Sequence, residues 1–260
     1  MKHHRFLLFV CLATLFLCGF VQWQADYKRL PVQDTALTSL QSKNHPIIGS
    51  IKIANQSSTD TPYDWLTFIE SDKRDLSFDA ELDLNGNFYV ATNHYLSDDG
   101  SYRLGDENEI SITKIASDGR TLWGILVDAE PQSWSLNTTL DNAGGLYVSG
   151  ISLKTWGEPL SAFPGDDPGK VMFIAKYRTS DGALLWNTFL GKTSGFSLIT
   201  SDESNNIYAV WQQDNDDRTR PCFLAKLNGD GILQWSRVLV PSNIGDPEDV
   251  YVDNNGNIFV

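Results

Sequence analysis

Apolar and polar positions alternate with period two over short runs across residues 48–260, and turn residues separate the runs. SFDAELDL places Phe78, Ala80, Leu82 and Leu84 on one face, and SWSLNTTL places Trp134, Leu136 and Leu140 on one face. Such alternation predicts half-buried strands. LLWNTFL differs, because Leu184, Trp186 and Leu190 share one face while Leu185 and Phe189 share the other. A strand apolar on both sides predicts a small sheet sandwiched between neighbouring sheets. The most regular stretch, residues 171–210, reads as four short strands joined by tight turns.

The stretch recurs. Trp65, Trp123, Trp186 and Trp235 are 58, 63 and 49 residues apart, and Asp83, Asp141, Asp202 and Asp253 follow them 16 to 18 residues later. Each Trp has an Asp five residues before it (Asp60, Asp118, Asp181, Asp230), followed by Gly in all but the first, where Thr61 stands. A Lys lies upstream in a strand-like run each time: Lys52, Lys114, Lys176 and Lys226. The Asp-centred segments DLNGNFY, DNAGGLY, DESNNIY and DNNGNIF align without a gap, with Gly86, Gly144, Asn205 or Gly256 fourth and an aromatic residue seventh. Residues that tolerate positive φ between two alternating runs predict hairpin turns. Each unit therefore has strand A before the Asp turn, B after it, C around the Lys and D carrying the Trp. A ring such as Trp186 removes ~150–250 Å² from water, which makes the Trp residues the expected anchors of packing between units.

Four-stranded units of this length stacked by large rings predict an all-β fold, a β-propeller of four-stranded antiparallel blades. The pattern FIAKY…DGxxxW…DxxGNxYV resembles the SBBP-type β-propeller repeat and, more loosely, PQQ-like (quinoprotein) repeats. The resemblance spans residues 48–260 and implies a fold, with little about activity. About four units are present, entered at strand C and left at strand B. The reading preferred is a piece of a six- to eight-bladed propeller. The alternative is a four-bladed ring closed by pairing the N- and C-terminal strands.

The chain carries 33 acidic and 20 basic residues, a formal net charge of −13. Such a surface repels nucleic acid and anionic membrane, and nucleic-acid binding is set aside. MKHHR followed by the apolar run Phe6–Val21 predicts a signal peptide or N-terminal membrane anchor over residues 1–25, with residues 26–47 a linker. The domain is then exported, being periplasmic, cell-surface or secreted, and meets a membrane only through residues 6–21. Cys11 and Cys18 lie in that leader and only Cys222 in the globular part, so neither a disulfide framework nor a Cys metal site is expected.

Strand order puts the tight A–B and C–D turns at one end of every sheet and the long B–C and D–A loops at the other. The B–C loops, read as residues 93–109, 151–170 and 211–221, are rich in acidic and aromatic residues. Tyr95, Tyr102, Trp156, Phe163, Trp211, Asp216 and Asp217 are the candidate residues of a partner-binding face for a protein or glycan. The competing reading is a solvated charge surface with its aromatics tucked beneath the loops. Asp83-x-Asn85-x-Asn87 and its counterpart at Asp253 hold oxygens for Ca²⁺, but no bidentate Glu follows, and turn chemistry accounts for them. No catalytic residue, cofactor or metal site is assigned. The function expected is a non-catalytic scaffold or binding protein of the cell envelope. The alternative is a fragment of a propeller enzyme such as a quinoprotein dehydrogenase, although the Cys pair which that resemblance implies is missing here.

Overall fold

A computed structural model describes residues 52–56, 66–70, 74–95, 108–127, 133–165, 169–195, 197–213, 215, 217–241 and 246–260. The leader, the linker, Trp65, Tyr102 and Asp216 lie outside the described residues. All regular structure described is β.

Three four-stranded antiparallel sheets follow one another along the chain. Sheet I is β3 (Arg74–Leu82), β4 (Phe88–Tyr95), β5 (Asn108–Ile115) and β6 (Thr121–Leu126). Sheet II is β7 (Ser133–Leu140), β8 (Gly145–Ser152), β9 (Val171–Arg178) and β10 (Leu184–Lys192). Sheet III is β11 (Ser197–Ser201), β12 (Ile207–Gln212), β13 (Cys222–Leu227) and β14 (Leu233–Val240). Each pairs in chain order, so the predicted A-B-C-D sequence of strands is the observed one. Two hairpins flank them: β1 (Lys52–Gln56) with β2 (Leu66–Glu70), and β15 (Tyr251–Val252) with β16 (Ile258–Phe259). By sequence position the first hairpin is a C–D pair and the second an A–B pair. They do not bond to each other, and the run of sheets is not closed.

The apolar cores lie between sheets. One cluster joins Tyr89, Ile110 and Ile112 of sheet I to Leu146, Val148 and Phe173 of sheet II. A second joins Tyr147, Met172 and Ile174 of sheet II to Ile199, Ile207 and Ala209 of sheet III. A third joins Tyr208, Val210 and Leu224 to Val250 and Val252. The two-faced D strand follows its pattern in part: Trp186 and Leu190 pack toward sheet III and Phe189 joins the cluster shared with sheet I, whereas Leu184 and Leu185 at its start are exposed.

Strand A departs from the simple alternation. Leu82 and Leu84 are exposed, while Asp79 and Glu81 on the opposite side are half-buried. A bulge between Ser77 and Asp79, repeated between Ser135 and Asn137, shifts the register once per strand. It turns Asp79 toward sheet II, where its Oδ2 accepts from Asn137 Nδ2 at 2.7 Å, Thr138 N at 2.8 Å and Thr138 Oγ1 at 3.1 Å. Asn137 repeats the link one sheet on, accepting from Ile199 N at 2.7 Å. Strand A thus adds a polar seam between sheets, while in sheet II the predicted apolar residues Trp134 and Leu140 still pack inward. Asn137, the first residue of a glycosylation sequon, is committed to that seam.

The bulge brings backbone close to Gly150. A β-carbon there would stand 1.9 Å from the Trp134 carbonyl oxygen and 2.8 Å from the Phe173 ring. The carbonyl cannot rotate away, so Gly150→Ala is expected to lower stability by ~2–4 kcal/mol in urea unfolding. A cost below ~0.5 kcal/mol would show that the backbone gives freely here.

Candidate functional site

The repeated residues converge on one junction between consecutive sheets. The turn Asp is built first. Asp141 Oδ1 accepts from Ala143 N at 2.8 Å and Gly145 N at 2.6 Å, which closes the A–B turn. Asp83, Asp202 and Asp253 do the same with their own turns. The second oxygen accepts from the aromatic residue six places on: Tyr89 to Asp83 at 3.1 Å, Tyr147 to Asp141 at 2.9 Å, Tyr208 to Asp202 at 3.0 Å. These donors occupy the carboxylate oxygens that a Ca²⁺ reading would require, and the turn reading of DxNxN is the one the hydrogen bonds follow. Among the described residues no group of three or more His, Cys, Asp or Glu side chains could hold a metal.

Above each Tyr ring stands the strand-C Lys, with Nζ 4.8–5.0 Å from the ring centroid in all three sheets. Against the ring leans the strand-D Trp, at 6.0 Å for Tyr89–Trp123, 5.8 Å for Tyr147–Trp186 and 6.3 Å for Tyr208–Trp235. Lys and Trp then reach together into the next sheet. Lys114 Nζ and Trp123 Nε1 both donate to the Thr179 carbonyl, at 3.0 and 3.1 Å. Lys176 Nζ and Trp186 Nε1 both donate to the Gly229 carbonyl, at 3.1 and 3.3 Å. Those carbonyls belong to C–D turns, whose Gly182 (φ +75°) and Gly231 (φ +80°) lie under the preceding Trp ring. A β-carbon on either would come within 3.0–3.2 Å of Trp123 or Trp186. The Asp-Gly pair read as a turn signal is therefore also the seat of the neighbouring sheet's Trp.

The second Asp oxygen is given a side-chain donor in two ways. Asn87, Asn206 and Asn257 each send Nδ2 to Oδ2 of their turn Asp at 2.8 Å. Sheet II has Gly145 in that place, and Lys176 enters instead, 2.9 Å from an Asp141 side chain that is 0% exposed. A β-carbon on Gly145 would meet Lys176 Cε at 2.3 Å. In sheet III, where Asn206 is present, Lys226 stays 3.8 Å from Asp202. Burial pushes the Asp141 carboxyl up, yet Lys176, the Gly145 amide and the Tyr147 hydroxyl together hold it below the usual carboxylate range. Burial and then the Asp141 carboxylate drive the Tyr147 hydroxyl in the opposite direction, upward. Asn205, which departs from Gly, takes φ 62° and accepts Asn142 N of the preceding unit at 3.0 Å.

The loop residues are placed differently from the junction. Trp156 is 4% and Trp211 5% exposed. Trp211 lies within β12 and stacks on Phe223 at 5.2 Å. Trp156 packs edge-on against Phe173 and Phe189, and Phe163, half-buried, packs edge-on against Phe189 at 5.0 Å. The segment around them does not stand at the loop end of the sheet. It runs beside β10, with Leu160 N donating to the Asn187 carbonyl and Phe189 N to the Ser161 carbonyl, and so covers an edge strand. Tyr95 ends β4, outside the loop proper, and Asp217 is exposed, accepting from Thr219 N at 2.9 Å. Of the described candidates, Trp156 and Phe163 meet on Phe189 in one apolar cluster, Trp211 lies in another, and Asp217 joins neither.

Two arrangements have no sequence signature. His94 Nε2 lies 2.7 Å from Ser111 Oγ, both buried, because β4 and β5 happen to bring them onto one face. Glu81 is half-buried two positions from Asp79 on strand A, and burial, followed by the Asp79 charge, pushes its carboxyl up to about 7. Only the acid-x-acid spacing within a strand hinted at the second.

Comparison with protein-family models gives no match, and comparison with curated proteins gives none.

Two outcomes test this account. Lys176→Ala leaves Asp141 buried without its cation and is expected to cost about 3 kcal/mol. Adding Gly145→Asn to that variant supplies the amide used in the other turns and should recover only the part lost at Asp141, not the bond to the Gly229 carbonyl, whereas a further loss would show that an Asn has no room beside Asp141. For Glu81 the folded carboxyl holds its proton more tightly than the unfolded one, so its contribution is full below pH ~4.5, declines as pH rises to about 7, and is constant above. Discounted for solvent screening, the decline is about 1–2 kcal/mol. Glu81→Gln should remove it from a pH series of urea midpoints, and an unchanged slope would refute the assignment.

Proposed function

We propose that residues 48–260 form the blades of a β-propeller of the SBBP-like kind, exported to the cell envelope, that serves as a non-catalytic scaffold and meets a protein or glycan partner at its B–C loop end. The observation carrying this reading is the division of labour within each unit. The recurring Lys and Trp of sheets I and II are spent at the A–B and C–D end, on holding one sheet to the next. The loops at the other end differ in length and composition from unit to unit. Variable loops on a rigid repeated frame are the usual place for recognition. Export rests on the basic-apolar start of the chain.

With Trp156 and Trp211 buried, the reading rests on exposed polar residues of the β12–β13 connection such as Asp217, Arg218 and Arg220. With a net charge of −13, the surface favours a basic protein or a cation-bearing glycan. Asp216→Lys combined with Asp217→Lys is expected to weaken binding to immobilised envelope proteins and glycans about tenfold. Wild-type binding should weaken with added salt. Binding indifferent to both the charge reversals and salt would refute this face.

A further inference from the structure

We propose that the free edge of sheet III, strand β14, takes an extended peptide of a partner protein as an added strand, with a carboxylate of that peptide facing Arg237. The inference does not depend on the loop-end reading above. Among the described residues β14 ends its sheet and pairs only with β13. Six of its eight residues are exposed, Ser236, Arg237 and Val238 in mid-strand among them.

The same edge of sheet II shows what such a strand takes. Pairing with β9 and with β13 puts Ser236, Arg237 and Val238 in the places of Asn187, Thr188 and Phe189. Those three are buried, and the chain's own 156–163 segment lies along them. Leu160 N donates to the Asn187 carbonyl at 2.9 Å and Phe189 N to the Ser161 carbonyl at 3.3 Å, while the Trp156 and Phe163 rings close on Phe189. By the same register the Ser236 carbonyl and the Val238 N–H point away from β13, and among the described residues no backbone group bonds to either on that side. The β12–β13 connection bonds to itself instead of reaching β14. An open donor and acceptor on an apolar edge are what an added strand pairs with.

Charge selects the occupant. Arg237 is the one charged residue of β14, its guanidinium carbon lies 5.4 Å from the Trp235 ring centroid, and among the described residues no carboxylate pairs with it. A second copy of β14 fits poorly. The antiparallel register that uses both Ser236 and Val238 sets Arg237 directly opposite Arg237, where like charges repel. A peptide strand with Asp or Glu opposite Arg237 and an apolar residue on either side meets the guanidinium and covers Val238 together.

The test titrates the full-length chain with two acetylated and amidated peptides, STFEVTS and STFKVTS, reading affinity by calorimetry and the Val238 amide by hydrogen exchange. The Glu peptide is expected to bind and to protect the Val238 amide, which is open in its absence. Arg237→Glu should weaken the Glu peptide about tenfold and strengthen the Lys peptide. Val238→Pro removes the outward donor without breaking the ladder to β13 and should weaken the Glu peptide about tenfold as well. Methylating the peptide's amide nitrogens one at a time, which leaves the protein unchanged, should weaken it at alternate positions only. Binding of neither peptide, equal binding of both to the wild type, or a Val238 amide still open at saturation would overturn the site. Protection of Val238 in the free chain at one-chain mass would overturn it by showing that the chain covers its own edge. A two-chain mass in light scattering, lost on Val238→Pro, would overturn it in favour of a second copy.

Discussion

A single backbone carbonyl in the C–D turns of sheets II and III receives two donors from the sheet before it, an ammonium and an indole N–H, and the stacking of the three sheets depends on that meeting. The carbonyl is available because the turn is tight and its glycine has no side chain to hold the ring away. The donors are positioned because the Tyr ring lies beneath the Lys and beside the Trp, and the Tyr is fixed by the turn Asp through its hydroxyl. A charged donor to a carbonyl is a stronger bond than a neutral pair, and desolvation by the flanking apolar clusters strengthens it further. Four residue types, each unremarkable alone, therefore make one joint, and the joint repeats.

Because the joint has fixed requirements, its departures are informative. Sheet II exchanges an Asn for Gly145 and admits a Lys to the carboxylate, whereas sheet III keeps Asn206 and holds its Lys farther off. Both satisfy the same buried acceptor, which must not be left without a donor. At the other side of each sheet, strand A uses Asp79 and Asn137 as clamps on the next backbone. Leu198 occupies the equivalent place in sheet III and offers no acceptor, and Val250 N turns to Asp249 beside it at 2.8 Å. The polar seam thus stops where sheet III meets the β15–β16 hairpin.

Edges are handled unequally. β10 is covered by the chain's own 156–163 segment, which consumes two aromatic residues and two backbone bonds. The β12–β13 connection is shorter and bonds to itself, with Gln213 N donating to the Pro221 carbonyl and Asn215 N to the Thr219 carbonyl. β14 is left with Val238 at 51% exposure where β10 has a buried Phe189. A bare apolar edge strand invites pairing.

The spacing of Trp, Asp, Lys and Asp-Gly was enough to assign every described strand to its role, because turn chemistry and period-two patterning are local properties of a few consecutive residues. The anchors Trp123, Trp186 and Trp235 and the Asp turns were legible for the same reason. The burial of Trp156 and Trp211 was not: whether an aromatic residue in or beside a loop covers an edge or faces solvent depends on which strand that loop returns to. Nor was the strand-A face, since a one-residue bulge reverses inside and outside without altering the composition of the run. The sequence by itself determined the sheets and their order. Only the tertiary structure decided what each repeated residue holds, because the acceptor for Lys114, Trp123, Lys176 and Trp186 lies on the next sheet, more than 40 residues away along the chain.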